Sequence, residues 1–133
     1  MVVGLSAAVL QGAPVVTPDI DLWVKDLDNE RFRNALKTIG VKYFPPMGAG
    51  PPMIGGEGAE LFDLVLSMSG LGKFDEEYPH ALDLALGSVQ VKVLPLERIL
   101  ISKRAANPPK DRLVIPVLEN VLKTRRIKEN PQK

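Results

Sequence analysis

The sequence has 133 residues, of which 45% are hydrophobic and 25% are charged, and its formal net charge is +1. This length predicts one domain with a buried core, and the near-neutral charge gives no general electrostatic reason to expect binding to nucleic acid or to a membrane surface. The absence of cysteine excludes a disulfide framework and a thiolate zinc site and favours the cytoplasm, and a single histidine argues against a Ser-His-Asp triad. No apolar run approaches the roughly 18 residues of a membrane span, and Met1–Leu5 lacks a basic leader, so we expect no signal peptide.

The first part of the chain alternates strand and helix signals. Met1–Leu5 is apolar and predicts a short strand, and Ser6–Gln11 predicts a brief helix with Ser6 as its N-cap. A proline-containing loop then leads to a second predicted strand, Asp19–Val24. A helix is predicted from Asp28 to Gly40, with apolar residues recurring at helical spacing.

The central part of the chain is rich in proline and glycine. Val41–Phe44 predicts a short strand, and Pro45–Gly58 is a long segment that we interpret as a mobile lid, as a hairpin tip beside the site, or as plain disorder. Glu60–Met68 predicts a strand that contains Asp63.

The remaining elements follow a polar connection at Lys73–His80. Val89–Leu94 predicts a strand, Pro95 opens a helix, and Lys110–Arg126 predicts a last helix that Pro116 should kink. We expect a domain over residues 1–127 and a disordered tail over 128–133. The alternation predicts an α/β (α+β) fold, a small mixed β-sheet with helices packed mainly on one side. The residues predicted to be buried are Phe32, Leu36, Ile39, Leu64, Leu66, Leu96, Leu100, Leu118 and Val121.

Two carboxylates one residue apart, Asp19 and Asp21, form the main candidate site. In an extended strand residues two apart share a face, so both side chains would project to one side. Two such carboxylates repel each other unless a cation or a shared proton lies between them, and Mg²⁺ prefers oxygen ligands of this kind. The second Asp-x-Asp pattern, Asp26-Leu27-Asp28, is interpreted as a turn and helix cap.

Asp63 is a third candidate because it lies between apolar neighbours in a predicted strand. A carboxylate in such a place needs a partner. One interpretation is a salt bridge to one of the basic residues. The other is a third metal ligand, brought beside Asp19 and Asp21 by strand pairing.

Together these motifs resemble the DNA polymerase β-like nucleotidyltransferase superfamily, and within it the minimal single-domain bacterial members. The resemblance rests on the order strand, helix, loop, Asp-x-Asp strand and a later strand with a third Asp. The matching residues are Gly4-Leu5-Ser6-Ala7, Gln11-Gly12, Val15, Thr17, Asp19-Ile20-Asp21-Leu22, Leu94-Pro95-Leu96-Glu97, Lys103, Pro109-Lys110-Asp111-Arg112 and Leu118.

The resemblance implies metal-dependent transfer of a nucleoside monophosphate from an NTP to a hydroxyl of an RNA, a protein or a small molecule. Asp19, Asp21 and Asp63 would be the catalytic carboxylates that bind two Mg²⁺ ions. Gly4 and Ser6 would meet the triphosphate at the start of the first helix, and Lys103 and Lys110 are candidate phosphate contacts. For the two lysines, a solvated charge and a helix terminus paired with Asp111 remain open as alternatives.

A second function class remains open because two positions depart from the pattern. Leu5 replaces a glycine and Val15 replaces a basic residue, which would impair catalysis. The alternative is a weakly active or inactive protein of this fold that acts through interactions, such as a toxin–antitoxin component or a homodimer. Met47, Met53 and Ile54 would be exposed contacts for such a partner, because methionine suits adaptable surfaces.

Overall fold

A five-stranded mixed β-sheet forms the centre of the fold in the computed structural model, which describes residues 1–50, 52–106 and 109–129. Its strands are β1 (Val2–Val3), β2 (Ile20–Trp23), β5 (Phe62–Val65), β6 (Leu82–Leu86) and β7 (Val89–Val93), and a separate hairpin is made of β3 (Lys42–Phe44) and β4 (Met53–Gly55). The helices are α1 (Gly4–Leu10), α2 (Glu30–Thr38), α3 (Phe74–Glu77), α4 (Leu96–Ala106) and α5 (Val114–Glu129). The mixed α/β class predicted from the sequence is therefore confirmed.

The strand order of the main sheet is β5-β2-β1-β7-β6. β1 pairs antiparallel with β2 and parallel with β7, while β2 and β5 run parallel. β6 and β7 form an antiparallel hairpin closed by Gly87 and Ser88. The sheet edges are thus β5 on one side and β6 on the other.

The main core lies where the sheet meets α1, α4 and α5. Its most completely buried side chains include Val3, Trp23, Val93, Leu94, Leu96, Ile99 and Leu118. The Trp23 ring packs edge-on against Phe74, with ring centroids 5.8 Å apart, and its Nε1 donates to the Leu66 carbonyl. This core joins the N-terminal strand to the C-terminal helix.

A second, smaller core lies under the β3–β4 hairpin. It contains the buried residues Leu36, Val41 and Ala59, with Phe32 and Tyr43 packed at its margin. Among the described residues this cluster has three buried side chains, whereas the main core has thirteen.

Two hydrogen-bonded side chains tie elements together inside the fold. The Gln11 amide donates to the Ala7 and Leu94 carbonyls and accepts from the Leu96 amide, so it holds the end of α1 against the start of α4. The Glu77 carboxylate, whose side chain is 2% exposed, accepts two bonds of 2.6 Å from Arg98. The second contact joins α3 to α4.

Four of the predicted core residues, Leu36, Leu96, Leu100 and Leu118, are buried. Phe32, Leu64 and Val121 are half-buried. The prediction was wrong for Ile39 and Leu66, which are 68% and 51% exposed. Ile39 is the C-cap residue of α2, outside the helix, and Leu66 lies just beyond the end of β5, so neither follows the periodicity of its element.

Several element boundaries differ from the predictions. α1 begins at Gly4 rather than at Ser6 and has no side-chain cap, since the positive φ of Gly4 (63°) turns the chain directly from strand into helix. β6 and α3 were not predicted. Pro116 lies in the first turn of α5, where a missing amide costs no helical hydrogen bond, so the residue does not interrupt the helix.

The C-terminal helix also extends further than expected. α5 runs through Glu129, two residues into the segment predicted to be disordered, and residues 130–133 lie outside the described part. Among the described helices none is long and apolar enough to cross a membrane.

Candidate functional site

Asp21 and Asp63 lie directly opposite each other on neighbouring strands. The parallel register of β2 and β5 pairs Ile20 with Phe62 and Asp21 with Asp63. Paired residues of neighbouring strands point to the same face, and such strands lie about 4.8 Å apart. Strand pairing thus brings together two of the three carboxylates that the sequence predicted to converge.

The Asp21 carboxylate packs against the turn between β1 and α1. A Cβ added at Gly4 would collide with Asp21 Oδ2, so the absence of a side chain at Gly4 makes this contact feasible. The positive φ of Gly4 is a second reason for glycine here. Glycine is therefore favoured at position 4 both by the backbone conformation and by the close approach of the Asp21 carboxylate.

The hydroxyl of Ser6, a residue of α1, links this helix to β1 and β2. Ser6 Oγ donates to the Val3 carbonyl at 2.8 Å and accepts from the Asp21 amide at 3.1 Å. Its single proton is thus directed to the backbone of β1, and the side chain is buried. In this arrangement a phosphate contact from Ser6 would come from its backbone N–H.

Asp19 lies in a bend that precedes β2 rather than in the strand itself. Its carbonyl accepts a hydrogen bond of 3.1 Å from Thr17 Oγ1, and the residue lines an apolar cavity that also contacts Ile20 and Leu22. The alternation that would align Asp19 with Asp21 needs an extended backbone through both positions. Asp19 lies one residue before the β2–β5 ladder, which begins with the pair Ile20 and Phe62, and its place in the site stays a prediction.

The β3–β4 hairpin lies beside Asp63. A cavity of about 400 Å³ is lined by residues of both β4 and β5, and Met53, Ile54, Glu60 and Asp63 are among them. The segment that the sequence suggested as a lid or hairpin tip is therefore a hairpin next to the site, with its second strand at Met53–Gly55. Met47 and Met53 are exposed, as expected, at 88% and 62%. The same prediction was wrong for Ile54, which is half-buried because it packs against the second core.

The two lysines predicted to bind phosphate, Lys103 and Lys110, lie in the C-terminal part of the chain. Lys103 lies on the second half of α4, is half-buried and already interacts within the chain. Lys110 belongs to a short 3-10 helix, Pro109–Arg112, and its side chain lies outside the described part of the structure.

The donor set at this site has the oxygen chemistry that Mg²⁺ prefers. Asp21 and Asp63 offer two carboxylates, and Mg²⁺ is commonly held by one or two carboxylates together with water and substrate phosphates. Within residues 1–50, 52–106 and 109–129, no three His, Asp or Glu side chains are grouped closely enough to hold a metal ion. The expectation of two ions remains a prediction.

Glu60 lies beside Asp63 but was not among the predicted site residues. It precedes β5 in a 3-10 turn, Ala59–Leu61, and lines the same cavity as Asp63. The only available signal was the three-residue spacing from Glu60 to Asp63, which in a continuous strand would have placed the two side chains on opposite faces.

Comparisons of the chain with protein-family models, with curated proteins and with solved structures found no match. The candidate site therefore stands on its own geometry.

Proposed function

We propose that this chain transfers a nucleoside monophosphate from an NTP to a hydroxyl acceptor, with Mg²⁺ bound at Asp21 and Asp63. The observation that carries the proposal is the register of β2 and β5, which sets these two carboxylates side by side next to the β1–α1 turn. The order of elements also supports it, because a strand, a helix and an aspartate-bearing antiparallel strand precede the third carboxylate, as in the superfamily that the sequence resembles.

The residues have separable roles in this proposal. Asp21 and Asp63 would hold the metal ion, and Asp19, one residue before β2, would be the third carboxylate of the site. When bound, Mg²⁺ would neutralise phosphate charge and activate the attacking hydroxyl. The backbone amides at Gly4 and Ser6 would meet the phosphates, since the first turn of a helix has amides without intrahelical partners.

The acceptor would approach beside Asp63. The cavity lined by β4 and β5 opens there, and its walls combine the apolar Met53 and Ile54 with the acidic Glu60. An acceptor that places a hydroxyl near Asp63 would therefore also contact the β3–β4 hairpin.

The test compares the melting of the wild type with that of two site variants. Mg²⁺ together with the correct NTP should stabilise the wild type, by about 2.7 kcal/mol when the ligand is present at about 100 times its Kd. Asp21→Asn and Asp63→Asn should abolish this stabilisation, and transfer of labelled nucleotide to cell RNA or lysate should be lost with it.

Asp26→Asn is the matched control because it removes the same charge from the other Asp-x-Asp pattern. Asp26 Oδ1 only accepts from the Asp28 amide, at 2.9 Å, and an asparagine oxygen can do the same. This variant should retain the full response to Mg²⁺ and NTP. A wild type indifferent to every NTP, or an unchanged response in Asp21→Asn, would contradict the proposal.

A non-catalytic interaction protein is the second candidate function. It is favoured by an apolar cavity of about 490 Å³ between α1 and the sheet, lined by Val9, Ile20, Phe62 and Leu86 among others. Val9, Ile20 and Leu86 are 37–46% exposed, which is unusual for residues lining one apolar surface. Ligand-independent melting together with a stable partner complex would select this alternative.

A further inference from the structure

We infer that two copies of this chain associate through their β6 strands, in an antiparallel arrangement centred on Leu84. β6 is the last strand of the main sheet and is paired on one side only, with β7. Of the described elements, β7 is also the only one in extensive contact with β6. The outer edge of this strand thus offers unpaired backbone groups.

The β6–β7 hairpin determines which backbone groups point outward. A two-residue connection closes the hairpin, and Leu86 and Val89 flank it. In such a hairpin the flanking pair is hydrogen-bonded, and every second residue along the strand repeats that pattern. Leu82, Leu84 and Leu86 therefore pair with β7, whereas Asp83 and Ala85 direct their amides and carbonyls away from the sheet.

These outward groups match a two-fold axis at Leu84. An antiparallel pairing centred there sets Asp83 of one copy opposite Ala85 of the other, and the same pair recurs across the axis. Each pair can exchange two backbone hydrogen bonds, so four bonds would join the two sheets into one. The outward donors and acceptors of both copies coincide in this register, whereas a pairing centred on Asp83 would set the two Asp83 carboxylates opposite each other.

The side chains fit the same register. Leu82 and Leu86 would face each other across the interface, and in the single chain they are 40% and 46% exposed. Leu82, Leu84 and Leu86 share a sheet face with Val91, and Val91 and Leu86 also line the apolar cavity beside α1. The dimer would extend one apolar surface across both copies and remove its edge from water.

Charge also favours a second copy as the occupant. Asp83 is the only charged residue of β6, and it forms an exposed ion pair with Lys92 on the same sheet, with 2.8 Å between Oδ1 and Nζ. Its counterpart in the proposed pairing is the uncharged Ala85. β6 contains none of the lysines or prolines that commonly protect an edge strand from pairing.

The experiment measures the self-association of the full chain by sedimentation over a range of concentrations. The wild type should form a dimer. Ala85→Asp should weaken it about tenfold, because the new carboxylate of each copy then faces and repels Asp83 of the other, and Ala85→Lys should strengthen it by a similar factor. Ala35→Asp adds the same charge on the exposed surface of α2 and should leave the dissociation constant unchanged.

Ala85→Pro provides a second, backbone test. It removes an outward amide but no hydrogen bond to β7, so it should yield a monomer with the near-ultraviolet spectrum of the wild type. If this variant fails to fold, the opposite signs of the two charge variants still decide the matter. A wild type that is monomeric at every concentration, or a dimer insensitive to substitution at Ala85, overturns the inference.

Discussion

Gly4 is the residue on which the local geometry of the candidate site most depends. It adopts a positive φ of 63°, and any Cβ there would collide with the Asp21 carboxylate. The carboxylate in turn lies near the amino-terminal end of α1, where a negative charge is favoured. One glycine therefore allows both the sharp turn into the helix and the close approach of a charged group.

We predict that Gly4→Ala destabilises the protein by about 2–4 kcal/mol. A positive φ costs about 1–2 kcal/mol in an alanine, and displacing the Asp21 carboxylate adds to that cost. Gly48→Ala is the control, because Gly48 has the same φ of 63° with no atom within 4 Å of an added Cβ. Urea unfolding measures both losses, and equal losses would show that the Asp21 contact carries no energy.

At the scale of elements, α2 and the β3–β4 hairpin form a unit with its own small core. Asn29 caps α2 by accepting from the Arg31 and Phe32 amides, and Gly40 ends the helical segment with a φ of 73°. The buried residues of this small core are Leu36, Val41 and Ala59. Because the hairpin borders Asp63, the stability of this unit bears on the candidate site.

We predict that Leu36→Ala costs about 2–4 kcal/mol, a typical loss for a buried leucine. Its side chain is 8% exposed in the second core. Ile39→Ala serves as the matched control, since Ile39 is 68% exposed, and its effect should stay within about 0.5 kcal/mol. Amide exchange in α2 and β3 should accelerate in Leu36→Ala alone. Comparable losses in both variants would mean that α2 packs through another face.

At the scale of the whole molecule, the Glu77–Arg98 ion pair links α3, in the middle of the chain, to α4 near its C-terminal end. Glu77 accepts from Arg98 and from the Gly72 amide, and its side chain is 2% exposed whereas that of Arg98 is 29% exposed. The hydrogen bond from Arg98, above all, lowers the pKa of Glu77 below its ordinary value of 4.5, although burial acts in the opposite direction.

This pair predicts acid sensitivity of the folded state. Because the folded pKa of Glu77 is lowered, its stabilisation is fully present above the unfolded value of 4.5 and is lost as the pH falls through the folded pKa. Glu77→Gln should lower the free energy of unfolding at pH 7 by about 3 kcal/mol, since it leaves Arg98 without its charged partner. Below pH 4.5 the free energy of unfolding of the variant should also fall less steeply with decreasing pH than that of the wild type.

Glu119→Gln is the comparison for this prediction. Glu119 pairs with Arg104 at 3.1 Å, and both side chains are about half exposed, so its loss should cost less than about 1 kcal/mol. Urea unfolding of both variants from about pH 3 to pH 7 provides the measurement. A Glu77→Gln profile parallel to that of the wild type would show that Glu77 does not govern the acid limb.

Several features of the fold follow from local sequence. The period of apolar residues identified α2 and α4, Gly40 and Pro95 marked helix boundaries, and alternation identified β7. These signals are sufficient because they arise from dihedral preferences and spacings within a few residues. They also identified Asp21 and Asp63 as carboxylates on strands.

Only the tertiary structure decided which of those residues meet. Asp21 lies opposite Asp63 because β2 and β5 pair in parallel in this register. The register of a strand depends on which of its faces is buried, and residues nearby in sequence do not determine it. Asp19 lies one residue before the paired positions, where the chain bends. The hairpin beside Asp63, the Glu77–Arg98 pair and the open edge of β6 are likewise long-range outcomes. Local sequence thus determined the elements and their carboxylates, and tertiary packing determined the site.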